Sequence, residues 1–238
     1  MKITIVSVLL GILLITGLLV ACGGVLVGSG NLNTEQHSVK EFTGVDISSA
    51  FEFEIKQADS YGVNITADDN IINRIEVIKE GNTLKIGLKN TVSLGPVTLK
   101  AVITMPKLTS LVVSGAARGT ITDFNSAEKF TLDISGAGKV SGDITAGDAD
   151  FDISGASVVQ LEGSANNITA DVSGASRFNL GGLKVNNAKL TVSGASSGTV
   201  NPTGRLDADV SGASRLTYLG TPTMGNVNTS GASTISKK

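Results

Sequence analysis

The chain has 238 residues, enough for one domain or one elongated array, with 19 basic and 21 acidic side chains, 17% charged residues and 4% aromatics. That balance excludes the basic footprint of a nucleic-acid-binding protein, and the scarcity of rings leaves little to stack on bases. One Cys and one His exclude a disulfide framework, a cysteine zinc cluster and a multi-histidine metal site. What remains is a Gly-rich, aliphatic chain with little catalytic equipment.

Met1-Lys2 leads into an uncharged run, Ile3 to Ala21. It is long enough to cross a bilayer as an uncleaved anchor. It also ends in small residues, as a signal peptide over 1–21 does. Leu19-Val20-Ala21-Cys22 resembles a bacterial lipobox, which implies cleavage before Cys22 and lipidation (a diacylglyceryl group, palmitate included) on its sulfur. Two or three acyl chains anchor a protein stably where one does not. Either reading leaves the rest of the chain outside the cytoplasm. Residues 22–38, rich in Gly, Ser and Asn, are expected to form a lipid-anchored flexible tether. His37 lies within it.

Residues 39–238 form the expected domain. Its first part, 39–108, is irregular. Strands are expected over Val39–Ile55, Val63–Ala67, Ile75–Ile78, Thr83–Leu88 and Val97–Met105. Glu80-Gly81-Asn82 is a hairpin-type turn, Asp68–Arg74 a short helical turn, and Pro106 a strand terminator. This part is expected to supply the first, longer rungs and an N-terminal cap.

The second part, 109–238, is a repeat. Ser-Gly-Ala begins at Ser114, Ser135, Ser154, Ser173, Ser193, Ser211 and Ser230, with spacings of 21, 19, 19, 20, 18 and 19 residues. Ser48-Ser49-Ala50 is a weaker echo. The positions one and three before each first Ser are mostly apolar, and the position between them is mostly polar. That is the alternation of a half-buried strand. Alternation resumes five and seven residues after the Ser, so the tripeptide marks a turn at which Gly accepts positive φ. A unit of about 19 residues cannot bury its own apolar face, but stacked units can. The fold expected is all-β, a parallel β-helix (solenoid) with one Ser-Gly-Ala repeat per rung. The strict six-residue period of the left-handed form is absent, which points to the right-handed one.

Phe42-Thr43-Gly44-Val45, Ala50-Phe51, Ile55-Lys56-Gln57, Ala67-Asp68-Asp69-Asn70, Val102–Pro106 and the Val-Ser-Gly-Ala-Ser rungs resemble the putative auto-transporter adhesin, head GIN domain family, over residues 40–236. The resemblance implies a right-handed β-helix on the cell envelope, often lipid-anchored. Nothing after the repeats reads as a membrane barrel, a departure from a true autotransporter.

Stacking turns repeat positions into columns. Two before the Ser lie Asp133, Asp152, Asp171 and Asp209, and four after it lie Arg118, Lys139, Arg177 and Arg215. Carboxylates one rung apart repel. Two reliefs are open: basic side chains reaching across the corner, or a hard cation such as Ca²⁺ between oxygens. No resident cofactor is otherwise expected. The Ser columns read as structural hydroxyls, with no base placed to activate one of them. The expected function is a non-catalytic envelope lipoprotein presenting its β-helix for adhesion to a polymer or protein, surface-exposed or periplasmic. One alternative is a regulatory or sensory lipoprotein acting through a membrane-protein partner. The other is a polysaccharide-cleaving β-helix enzyme, for which no single carboxylate pair stands out.

Overall fold

The structure, a computed structural model, describes residues 25–90 and 93–238. The expected signal peptide over 1–21 and the expected lipidation site Cys22 lie outside the described residues. Among the described residues no helix is long and apolar enough to cross a membrane.

The described residues are β throughout but for one 3-10 turn, Ile72–Arg74, and form a β-solenoid of about six turns. The N-terminal part contains β1 (Leu32–Gln36), β2 (Gly44–Ile47), β3 (Glu52–Gln57), β4 (Gly62–Asp68), β5 (Ile75–Glu80), β6 (Thr83–Leu88) and β7 (Leu99–Met105). The repeats contain β8 (Ser110–Val113), β9 (Arg118–Asn125), β10 (Phe130–Ile134), β11 (Lys139–Thr145), β12 (Asp148–Ile153), β13 (Val158–Val172), β14 (Arg177–Val192), β15 (Ser197–Pro202), β16 (Arg205–Val210), β17 (Arg215–Tyr218), β18 (Thr223–Thr229) and β19 (Thr234–Lys237). Two faces flank the corner column. The leading face stacks β8, β10, β12, the end of β13, the end of β14, β16 and β18 in parallel. The trailing face stacks β9, β11, the starts of β13 and β14, β15, β17 and β19.

The Ser-Gly-Ala corners explain the period. Their glycines all have φ between 70° and 76°. Each corner Ala N–H from Ala137 onward donates to the Gly carbonyl one rung below, at 2.7–2.8 Å. A Cβ on Gly174 would lie 2.3 Å from the Gly155 oxygen, so both the turn and the close stacking require glycine. Ser49, with φ 69°, begins this column and accepts the Ala116 N–H at 2.6 Å, so the echo is a true corner. The Ser after each Ala from the third repeat on points inward. Ser157, Ser176, Ser196 and Ser214 are buried. Ser157 Oγ donates to Ser154 O at 2.7 Å, and Ser214 Oγ to Gly194 O at 3.3 Å. Corner carbonyls thus give these buried hydroxyls an acceptor.

The core is a stack of aliphatic columns with rings filling gaps. Val113, Ile134, Ile153, Val172, Val192 and Val210 line one column and are all buried. Two glycines interrupt the column five residues after the Ser for a steric reason. A Cβ on Gly119 would lie 2.4 Å from the Phe53 ring, and one on Gly198 would lie 2.1 Å from the Phe178 ring. Each ring occupies the space of the missing side chain on the next rung.

The N-terminal part departs from the expected succession of rungs. The span expected as one strand, Val39–Ile55, is broken at the Ser48-Ser49-Ala50 corner into β2 and β3. These pair in parallel with β8 and β9 on one side and with β6 and β7 on the other. The rung formed by later residues therefore lies beneath the rung formed by earlier ones. Antiparallel strands close this end: β5 on β6 through the Gly81 turn, and β4 on β7 with β1 outside it. An antiparallel closure ends the stack without another parallel rung.

The expected tether is the second departure. Residues 32–36 are strand β1, and His37 N–H donates to Val63 O at 2.8 Å. The buried Asp68 carboxylate accepts from the Gly30 and Thr98 N–H groups, each at 2.7 Å. Asn70 Nδ2 donates to Val27 O, and Ser29 Oγ bonds Asp69 Oδ1. A Cβ on Gly28 would lie 2.3 Å from Asp68, so only glycine passes there. A glycine-rich composition read as flexibility is here a requirement of close approach.

Candidate functional site

The alternation of β8 to β19 sends every second side chain outward, and parallel register aligns those side chains into columns. On the leading face the column runs Asp46, Val112, Asp133, Asp152, Asp171, Thr191, Asp209, Asn228. The four expected aspartates thus share one line and are exposed. The column beside it carries Thr131, Asp150, Thr169, Lys189 and Asp207. A shallow depression of about 280 Å³ lies among Asp133, Asp150, Asp152, Asp171, Thr131 and Thr169.

The cross-corner ion pairs expected to relieve the acidic column do not form: among the described residues no ion pair joins Asp133, Asp152, Asp171 or Asp209 to a basic side chain. The corner turns the chain between the two columns, so they stand on different faces. Nor do the described residues contain a group of three His, Cys, Asp or Glu arranged to hold a metal ion. Charge is handled otherwise. Loss of hydration along the stacked face, with the neighbouring Asp152 charge, pushes the Asp133 carboxyl above its ordinary value. Burial also raises Asp46, against the attraction of Lys85. Ion pairs form at the margins instead: Lys129 with Asp150, and Arg205 with Asp207 through Nε–Oδ2 at 2.7 Å and Nη2–Oδ1 at 2.8 Å. The Arg205 fork and the Asn226 N–H hold Asp207 down to about 2.

On the trailing face the basic column runs Arg118, Lys139, Val158, Arg177, Ser197, Arg215, Thr234. Arg118 faces Glu52 at 3.7 Å. Lys139, Arg177 and Arg215 are exposed and form no ion pair among the described residues. Sequence reasoning missed the next outward column, six residues after the Ser: Thr120, Ser141, Gln160, Asn179, Thr199, Thr217 and Ser236. Seven successive rungs carry an uncharged hydrogen-bonding side chain there. The signal was present, since reading one position beyond the inward residue finds it. A groove of about 410 Å³ runs between Arg177 and Arg215, with Ser197 between them and Gln160, Asn179 and Thr199 along its side.

The buried serines are not candidate nucleophiles, because their hydroxyls donate to backbone carbonyls and no base reaches them. The site is therefore two charged, regularly spaced faces, one acidic and one basic.

The model of the family described as putative auto-transporter adhesin, head GIN domain, matches residues 41–222. A solved structure of a putative adhesin from Bacteroides fragilis NCTC 9343 is similar, with TM-score 0.80 and 26% identity, over 90% of this chain and 100% of that one. The same fold is seen in a putative lipid binding protein from Parabacteroides distasonis ATCC 8503, with TM-score 0.72 and 19% identity over 90% and 100% of the two chains. It is also seen in a putative adhesin from Parabacteroides merdae ATCC 43184, with TM-score 0.67 and 17% identity over 90% and 98%. No curated protein matches the sequence.

Proposed function

The chain belongs to the putative auto-transporter adhesin, head GIN domain family, and from that premise we propose that it is a non-catalytic cell-envelope module that uses its solenoid for adhesion or binding to a polymer or protein. In this reading Cys22 carries the lipid that holds the protein at the membrane. The observation that carries the binding role is the pair of in-register outward columns, acidic on one face and basic on the other, on a backbone whose corners lock each rung to the next. Contacts repeated along such a face add through avidity even where each is weak. A repeated column also argues for binding over catalysis, because the aspartates recur at one position rung after rung rather than as a single pair set apart from the repeat.

Protease shaving of intact cells against a lysed control, blotting for the solenoid, tests the exposure this reading needs. Loss of signal on intact cells, together with binding of the purified protein to cells or envelope material, is the expected result. Protection until lysis would overturn surface adhesion. Retention of the protein in a globomycin-treated culture as an unprocessed, larger form would support lipidation at Cys22, and unaltered migration would refute it.

A further inference from the structure

On the trailing face, cations and small side chains alternate strictly over six rungs: Lys139, Val158, Arg177, Ser197, Arg215, Thr234. With rungs about 4.8 Å apart, the three cations recur roughly every 10 Å. Beside them runs the unbroken column of neutral donors and acceptors from Thr120 to Ser236. We propose that this face binds an extended acidic polysaccharide bearing a carboxylate on alternate sugars, laid along the stack. The proposal deepens the binding role above and rests on it.

Three features select this ligand chemistry. An extended β-linked pyranose advances by close to one strand spacing per sugar, so alternate acidic sugars meet alternate rungs. The neutral column offers hydroxyls and amides to the sugar hydroxyls and acetamides between the charges, which a purely electrostatic site would not need. In the groove, the short Ser197 stands in register between Arg177 and Arg215, which leaves room for a carboxylate between the two cations. A second copy of this chain fits less well. Its acidic column places Asp133, Asp152 and Asp171 on three successive rungs, so an in-register neighbour would set Asp152 against Val158. Nucleic acid would also bring phosphates, but its bases would find no aromatic platform among these outward residues.

The test uses the full chain in detergent micelles and a fluorescent hyaluronan octasaccharide, in which glucuronate alternates with N-acetylglucosamine, read by anisotropy. Neutral dextran oligosaccharide and polyglutamate serve as comparison ligands. The octasaccharide is expected to bind, with Arg177→Gln and Arg215→Gln each weakening it roughly tenfold, the scale of one charge-assisted hydrogen bond. Asp59→Asn, in the exposed loop between β3 and β4 and in neither column, leaves binding unchanged. Asn179→Leu weakens binding without altering its salt dependence, whereas the arginine variants flatten that dependence. Circular dichroism melts matching the parent confirm that the variants fold. Binding no tighter than dextran, equal binding of polyglutamate, or arginine variants as tight as the parent would each overturn the proposal. So would Arg177→Gln abolishing self-association in sedimentation while leaving the octasaccharide affinity intact. A protein that still binds cells but refuses the octasaccharide sinks this inference alone, whereas loss of both sinks the binding role with it.

Discussion

Gly174→Ala tests whether the corner column holds the solenoid together. Gly174 has φ 74°, and placing an L side chain in that region costs about 1–2 kcal/mol. Its new Cβ would also lie 2.3 Å from the Gly155 oxygen and 3.0 Å from the Gly155 nitrogen, both backbone atoms. The rungs must separate locally, which weakens the Ala175 N–H bond to Gly155 O at 2.8 Å and adds overpacking of about 1–3 kcal/mol. The total of about 2–5 kcal/mol is a large share of a typical domain stability of about 5–15 kcal/mol. Gly81 is the control. Its φ is 58° and a Cβ there meets nothing within 4 Å, so Gly81→Ala carries the conformational cost of about 1–2 kcal/mol alone. Urea unfolding followed by far-UV circular dichroism reads both variants, and the slope checks that the transition remains cooperative. A Gly174→Ala midpoint no lower than that of Gly81→Ala would refute the stacking argument.

Gly198→Ala is expected to destabilise by about 1–3 kcal/mol because its Cβ strikes the Phe178 ring. Combining it with Phe178→Leu should recover part of that loss in a double-mutant cycle, and strict additivity would refute the ring-over-glycine packing. Asp133→Asn should raise the melting temperature at neutral pH. The folded carboxyl titrates above its unfolded value of 3.8, so its ionisation opposes folding above the raised value and the cost vanishes below 3.8. An advantage that persists at pH 3 would contradict this sign. The Asp207 carboxylate works in the opposite sense. Held at about 2, it contributes stability above 3.8 that is lost as pH falls toward 2, and Asp207→Asn should abolish that part of the acid sensitivity. Asp68→Asn should release the leading segment, because the N–H groups of Gly30 and Thr98 lose an ionised acceptor. Hydrogen exchange would show faster exchange at those amides and across Leu32–Gln36, and unchanged protection would remove Asp68 as the clamp.

What the sequence determined by itself was whatever depends on neighbours along the chain. Period-two alternation places Leu132, Ile134, Phe151 and Ile153 inside and Asp133 and Asp152 outside, whatever the rest of the fold does. The recurring Ser-Gly-Ala sets the rung length, because a positive-φ corner stacked on an identical corner admits only glycine. From these two facts the solenoid and both charged columns were legible, residue by residue. Tertiary structure alone decided which strands meet when they are not successive. The rung of β2 and β3 lies between β6–β7 and β8–β9 because β4 and β5 fold back antiparallel, and nothing in the local pattern of residues 44–105 distinguishes that order from simple succession. The same holds for Gly28–Gln36. Gly and Ser there read as freedom, whereas Asp68, far along the chain, needs them small enough to approach. The corner also turned the acidic and basic columns onto separate faces, so charges expected to pair across it are left to meet something else. Local pattern dictates which way a side chain points, and only the packed chain dictates what stands opposite it.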